Sequence, residues 1–199
     1  MPYFLGDYLK QNSGVDLTMD VTNYSKVLSS LLQYEIDFAL ISHDPDNIKF
    51  ENFDLIKNEL FLIGNSSNNT SLTGDKAISD STFLFREEGS RTRLVMENFI
   101  AKNKIKIKKK IELTSNEAVK QSVIAGLGLS IMPLIGIRNE IESGLLKIIP
   151  MKGLPIQTTW RLIWLKEKRL SPIAESYLSY LEKEKETIIK NYFSLPNHQ

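Results

Sequence analysis

The stretch Thr82-Phe83-Leu84-Phe85-Arg86-Glu87-Glu88-Gly89-Ser90-Arg91-Thr92-Arg93 decides the fold of this chain. Its apolar, β-favouring start predicts a buried strand, and the charged Gly-Ser segment predicts a tight turn that opens a helix. Gly89 is free to adopt positive φ, and Ser90 is a suitable N-cap. The helix-start N–H groups, the hydroxyls of Ser90 and Thr92 and the nearby arginines suit a small anion. An ordinary strand-to-helix connection is the alternative interpretation.

A second helix start has a similar composition. Thr114-Ser115-Asn116-Glu117 precedes the apolar helix Ala118–Ala125, and a strand pattern comes before it. In a doubly wound sheet both helix starts lie at the carboxyl edge of the strands, where ligands bind. The two starts together predict an anion-binding edge.

Strand and helix patterns alternate along the chain, which predicts an α/β fold with a parallel sheet covered on both faces. The predicted helices are Pro2–Lys10, Asn23–Tyr34, Ser90–Lys102, Ser115–Ala125, Leu134–Ser143 and a last one from Pro172 to about Lys190. The predicted strands are Val15–Val21, Ile36–Ile41, Phe53–Ile63, Thr82–Phe85, Ile105–Leu113, Leu129–Met132, Leu145–Ile149 and Thr158–Trp164. The segment Gly64–Lys76 is rich in Asn, Ser and Thr and is predicted to be a surface loop or a lobe boundary.

Two further motifs are interpreted as structural. In the segment from Ala125 to Pro133, Gly126 is expected to end a helix and Gly128 to allow close backbone approach, because no phosphate-loop lysine or third glycine follows. The lysines of 102–110 alternate with isoleucines, which predicts a strand with inward isoleucines and solvated lysines. A nucleic-acid surface is less favoured, because no aromatic or arginine is interleaved.

Composition excludes several classes of protein. The chain has 199 residues, 42% of them hydrophobic, a formal net charge of +1 and no cysteine. Disulfides, thiolate metal sites and cysteine nucleophiles are therefore excluded, and no net field attracts nucleic acid or membrane. The apolar runs are shorter than a bilayer span, and the N-terminus lacks a signal-peptide pattern, so a cytoplasmic location is expected.

Catalytic chemistry has no candidate in the sequence. There is no Ser-His-Asp order, Walker loop or dinucleotide fingerprint. His43 has no second histidine near it in the sequence, so neither a metal nor a catalytic residue is predicted. A binding module without a cofactor, and not an enzyme, is the favoured class.

The same motifs, in the same order, resemble the effector-binding domain of LysR-type transcriptional regulators. The resemblance rests on residues 85–93, 113–120 and 125–133, with support from Glu35–Ile41 and Gly144–Leu146. The turn looks most like that of the cysteine-biosynthesis and sulfite-reductase-operon activators, and of related carbon-fixation regulators.

The resemblance implies a two-lobed type 2 periplasmic-binding-protein-like α/β fold, each lobe a mixed sheet flanked by helices. Lobe I would comprise residues 1–62 and 150–199, and lobe II residues 63–149, with crossover strands near Leu60–Gly64 and Lys147–Met151. A small effector would bind in the cleft between the lobes.

Carried over residue by residue, the resemblance also implies the effector contacts. They would fall on Asn23, Ser42, His43, Arg86, Gly89, Ser90, Arg91, Thr92, Ser115 and Asn116. Arg91 stands where this branch commonly has a small residue, so it either adds an anion contact or occludes the pocket.

The implied partners follow from the family. The effector would be a small anion of the sulfite, sulfate or small-carboxylate class, and the protein a homodimer or tetramer. DNA would be bound only through an N-terminal helix-turn-helix domain, which is absent from this chain together with the family's first strand. A solute-binding protein of a transporter is the alternative function, while a porphobilinogen-deaminase-like transferase would need a cysteine that this chain lacks.

Overall fold

A computed structural model describes residues 1–67, 78 and 80–193. Most of the predicted loop Gly64–Lys76 lies outside the described residues. The chain divides into two compact units. Unit 1 consists of Met1–Thr22, Lys26–Ile56 and Thr159–Gln199, and unit 2 of Asn23–Ser25 and Lys57–Thr158.

The described residues form α-helices and β-strands in alternation. The helices are α1 (Pro2–Gln11), α2 (Tyr24–Leu32), α3 (Arg91–Lys102), α4 (Asn116–Ile124), α5 (Arg138–Glu142) and α6 (Pro172–Tyr192). The strands are β1 (Ala39–Ile41), β2 (Phe50–Asn65), β3 (Thr82–Arg86), β4 (Lys109–Leu113), β5 (Ser130–Pro133), β6 (Leu146–Ile148) and β7 (Ile156–Leu165). A short 3₁₀ turn, Leu134–Gly136, precedes α5.

Unit 1 is held together by helices α1 and α6 and by the pairing of β1 with β7. Strand β1 pairs antiparallel with β7, with Leu40 opposite Leu162. Aromatic rings of the two helices pack together, with Tyr8 and Tyr177 centroids 5.1 Å apart. The first turn of α6 is capped by Ser171, which confirms the predicted cap.

Part of unit 2 is an antiparallel arrangement around β2. Strand β2 pairs antiparallel with β5 and with β6, so that Ile63 lies opposite both Ser130 and Ile148. Strand β2 therefore has both β5 and β6 as neighbours. These antiparallel pairings correct the expectation of a parallel sheet throughout.

Strand β3 is the parallel centre of unit 2. It pairs in parallel with β4 along its whole length. On its other side, Leu129 donates to the carbonyl of Thr82 and accepts from the N–H of Leu84, both at 2.8 Å. Both faces of β3 are buried, because Phe83 and Phe85 pack in the cluster that contains residues of α3, while Leu84 packs in the cluster that contains residues of α4. This segment has the two-sided cover that its apolar sequence predicts.

The two glycines of residues 125–133 have the predicted structural roles. Gly126 follows α4 with φ of 78°, as a helix-ending glycine should. A Cβ at Gly128 would overlap the carbonyl oxygen of Thr82. Only glycine therefore allows the backbone to lie this close to β3.

The predicted strand Val15–Val21 is wrong. Residues 15–21 form no strand, and Leu17, Met19 and Val21 are 48%, 48% and 85% exposed. Alternation of apolar and polar residues gives a segment two different faces, but a strand also needs a neighbour for its backbone hydrogen bonds. These residues have none in the part of the chain that the structure describes.

Three other predicted elements are shorter or broken. The predicted strand Ile36–Ile41 is regular only over β1, and Ile105–Leu113 only over β4. Ile105 and Ile107 still pack on the apolar core, while Lys106 and Lys108 are exposed, as the alternation predicts. The predicted helix Leu134–Ser143 is divided into the 3₁₀ turn and α5.

Within the described ranges, none of the helices combines the length and the apolar character that crossing a bilayer requires.

Substitution of Gly128 tests the close approach to β3. We expect Gly128→Ala to lower the free energy of unfolding by about 3 kcal/mol, because its Cβ must displace the backbone of β3. Urea unfolding monitored by circular dichroism measures this loss. Gly136→Ala is the matched control, because its Cβ would meet no atom within 4 Å. Equal stability of the two variants would contradict the packing argument.

Candidate functional site

The turn between β3 and α3 is the centre of the candidate site. Gly89 has φ of 84°, and a Cβ there would lie 3.3 Å from the hydroxyl of Ser25. Ser90 is the N-cap residue of α3 by backbone conformation and is buried, but its hydroxyl makes no capping hydrogen bond. The first N–H groups of a helix have no partner within the helix. The start of α3 therefore keeps its donors for another acceptor.

Arg86 ends β3 and is engaged by side chains on both sides. Its Nε and Nη2 donate to the carboxylate of Glu87 at 2.7 and 2.8 Å, and its Nη1 donates to Oδ1 of Asn116. Arg86 thus ties the end of β3 to the start of α4. The charge of Arg86 is compensated by Glu87. Arg86 lies beside the turn, as predicted, and its hydrogen bond to Asn116 positions the start of α4.

The ion pair with Arg86 also lowers the pKa of Glu87. Burial is the largest single influence and would raise the pKa of the Glu87 carboxyl, but the hydrogen bonds from Arg86, a backbone hydrogen bond and the charges of Arg86 and Arg93 together hold the pKa below its ordinary value of 4.5. Glu87 is therefore charged at neutral pH and neutralises Arg86.

Arg93 is neutralised in the same way. Its Nε donates to Glu97 and its Nη1 to Glu112, both at 2.7 Å. Nη1 also lies 3.3 Å from the carbonyl oxygen of Arg86. Arg93 thus joins the first turn of α3 to β4 and to the end of β3.

Arg91, the first residue of α3, has different surroundings. Its guanidinium carbon lies 5.2 Å from the centroid of the Tyr24 ring, which is within the range of a cation–π interaction. Its Nε is buried without a hydrogen-bond partner. Thr92, the next residue, is half-buried.

The starts of α4 and α2 lie beside this turn. The hydroxyl of Ser115 accepts from the N–H of Ala118 at 3.0 Å, which confirms the predicted cap, and Asn116 accepts from Arg86. Asn23 precedes α2, and its side chain would lie 3.8 Å from a Cβ at Gly89. Unit 2 therefore brings together Asn23, Arg86, Gly89, Ser90, Arg91, Thr92, Ser115 and Asn116.

Ser42 and His43 follow β1 and belong to unit 1. Both are half-buried. Their predicted part in effector binding stays a prediction.

Sequence reasoning missed the partners of Arg93. The pair with Glu97 has the i, i+4 spacing of helical ion pairs and was open to prediction. The pair with Glu112 depends on the register of β3 and β4, which the sequence does not reveal. Glu97 and Glu112 thus belong to the charge pattern of the site.

Among residues 1–67, 78 and 80–193, the structure contains no group of three or more His, Asp and Glu side chains placed to hold a metal ion.

The fold and the polar turn together define an α/β domain of the type 2 periplasmic-binding-protein-like class. The family model of the LysR substrate binding domain matches residues 1–186, and the chain belongs to this family. The predicted fold class and family are confirmed.

Two relatives and one solved structure show which members of the family this chain is similar to. The chain is 31% identical over 193 residues to the HTH-type transcriptional activator CmpR of Synechocystis sp. (strain PCC 6803), covering 94% of this chain and 63% of the relative. It is 34% identical over 188 residues to the RuBisCO operon transcriptional regulator of Allochromatium vinosum, covering 92% and 62%. The chain therefore spans less than two thirds of the length of these relatives.

The solved structure is the regulatory domain of CcmR from Synechocystis PCC6803 in complex with 2-PG. It superposes with a TM-score of 0.84 at 26% identity, covering 98% of this chain and 92% of that one. The matched relatives are transcriptional regulators and not enzymes, which agrees with the prediction of a binding module.

The predicted branch within the family is confirmed in part. The two relatives described above are carbon-fixation regulators, which supports that part of the prediction and not the cysteine-biosynthesis or sulfite-reductase-operon activators. The Arg-Glu-Glu-Gly-Ser turn alone did not separate these branches. The comparisons likewise give no particular support to sulfite or sulfate as the effector, or to the transporter alternative.

The ion pair of Arg86 with Glu87 generates a pH-dependent prediction. We expect Arg86→Gln to raise the pKa of Glu87, because the ionic hydrogen bonds and the charge of Arg86 are lost while burial remains. In the unsubstituted protein the lowered pKa contributes stability that is present above the ordinary pKa of 4.5 and is lost as the pH falls through the folded pKa. The variant should lose this contribution. NMR titration of the Glu87 carboxyl measures the pKa.

Two comparisons control this experiment. Arg169→Gln removes an exposed arginine of unit 1 and should leave the pKa of Glu87 unchanged. In a Glu87→Gln background, Arg86→Gln should add no further pH dependence near pH 4. A pKa of Glu87 that is the same with and without Arg86 would refute the assignment.

Proposed function

We propose that this chain is the effector-sensing domain of a LysR-type transcriptional regulator, and that it binds a small anion at the start of α3. The observation that carries this proposal is that the hydrogen-bonding groups at the start of α3 are not used within the helix. Ser90 is buried and does not cap α3, and the N–H groups of the helix start have no intrahelical partners. Such a start attracts negative charge.

The neighbouring groups support binding of a tetrahedral or carboxylate anion. Arg86 fixes the start of α4 beside the turn through its hydrogen bond to Asn116. Ser90, Thr92 and the start of α4 at Ser115 are the proposed contacts in unit 2. Asn23 completes this group.

The chemical class of the effector is inferred from the relatives. The CcmR regulatory domain is described in complex with 2-PG, 2-phosphoglycolate, a compound that carries a phosphoryl group and a carboxylate. We infer that a small phosphorylated carboxylate of this kind is also the effector of this chain.

The function of the whole protein is proposed from the same relatives. The matched relatives are longer than this chain and are named as transcriptional regulators. We propose that the effector domain acts with a DNA-binding domain in a homodimer or tetramer, and that anion binding alters transcription from a target operon.

Calorimetry with 2-phosphoglycolate tests the proposed effector site. We expect saturable binding with one site per chain, and a weakening of about tenfold or more in Ser90→Ala, because the variant loses a hydrogen bond to a charged group. Ser179→Ala, which removes an exposed hydroxyl of α6, is the matched control and should bind as the unsubstituted chain does.

Two results would contradict the proposal. Absence of heat and of a ligand-induced rise in melting temperature at millimolar 2-phosphoglycolate, glycolate and inorganic phosphate would refute anion sensing. Equal weakening by Ser90→Ala and Ser179→Ala would show that the anion binds elsewhere.

A further inference from the structure

Three arginines lie in or beside the turn, and two of them are neutralised. Arg86 is paired with Glu87, and Arg93 with Glu97 and Glu112. Arg91 has no carboxylate partner in residues 1–67, 78 and 80–193. The charge of Arg91 is therefore the uncompensated positive charge among these three residues.

Tyr24 holds Arg91 without neutralising it. The guanidinium carbon lies 5.2 Å from the ring centroid, and the face of an aromatic ring offers only partial negative charge. Packing against Tyr24 restricts the long side chain, which reduces the entropy lost when the guanidinium binds an anion. The Nε remains a buried donor without an acceptor, an arrangement that is costly unless a ligand supplies one.

We infer that Arg91 is the charge-selecting residue of the proposed effector site, and that it favours a doubly charged phosphoryl group over a singly charged group of the same shape. This inference rests on the proposed function. Helix N–H groups and the Ser90 hydroxyl donate hydrogen bonds to any small anion. They contribute partial charges only, so they discriminate little between anions of different charge. A full guanidinium charge interacts more strongly with a dianion, and its planar donors match phosphate geometry.

A pair of ligands with nearly equal shape separates charge from geometry. 2-Phosphoglycolate carries a phosphate ester, which is close to doubly charged at pH 8 because its second pKa is about 6. Carboxymethyl sulfate has a tetrahedral sulfate ester in place of the phosphate ester and the same carboxylate, so its shape is nearly equal and it carries one negative charge less. The dissociation constant of carboxymethyl sulfate divided by that of 2-phosphoglycolate measures charge selection directly.

Arg91→Gln should reduce this ratio about tenfold, chiefly by weakening 2-phosphoglycolate. Arg91→Lys should retain part of the ratio, since the charge remains and the planar guanidinium donors are lost. Tyr24→Phe should keep the selection, whereas Tyr24→Leu should reduce it because the ring that orients Arg91 is gone. Arg169→Gln, an exposed arginine of unit 1, is the charge-matched control and should leave both constants unchanged.

The outcomes separate this inference from the proposed function. If the unsubstituted chain binds 2-phosphoglycolate and Ser90→Ala weakens both ligands, the effector site stands. An unchanged ratio in Arg91→Gln would then overturn the role of Arg91 alone. Tighter binding of both ligands by Arg91→Gln would overturn it as well, because it would show that Arg91 occludes the site. Binding of neither ligand by the unsubstituted chain would overturn both proposals.

Discussion

The two backbone hydrogen bonds between β3 and Leu129 are the contact on which unit 2 depends. They place β3 between β4 and the segment that leads into β5, so that its side chains are buried on both faces. Gly128 makes the contact possible, because any Cβ would overlap the carbonyl of Thr82. Ser130 strengthens it by donating to the carbonyl of Leu84 at 2.8 Å. A strand fixed in this way gives the turn after Arg86 a rigid base.

The position of β3 determines where the polar turn that follows it lies. Arg86 leaves the end of β3 and reaches the start of α4, while Arg93 reaches back from α3 to β4. Each contact crosses from one element to another, and each positive charge meets a carboxylate. The charged residues of the turn therefore serve two purposes. Arg86 and Arg93 hold the elements together, and the charge of Arg91 is available to a ligand.

Much of this arrangement was predictable from sequence, and the failures have physical causes. Local signals succeeded: Ser115 and Ser171 cap their helices, Gly126 ends one, and Gly128 permits close approach. The strand at Val15–Val21 failed because alternation specifies two faces but not a neighbouring strand. The pairing of Arg93 with Glu112 failed because strand register is a tertiary property. The site residues were grouped in part, but the sequence did not show which arginines are neutralised.

Helix geometry explains why Arg91 differs from its neighbours. Helical side chains meet those three and four positions away. Arg93 has Glu97 at the fourth position, whereas Arg91 has Leu94 and Val95 at the third and fourth, and Val95 is buried in the core. The apolar face that fixes α3 on β3 thus withholds a carboxylate from Arg91. The packing that positions the helix start therefore also leaves the charge of Arg91 uncompensated. Position 95 must be apolar to fill the core, and for that reason Arg91 stays available to an anion.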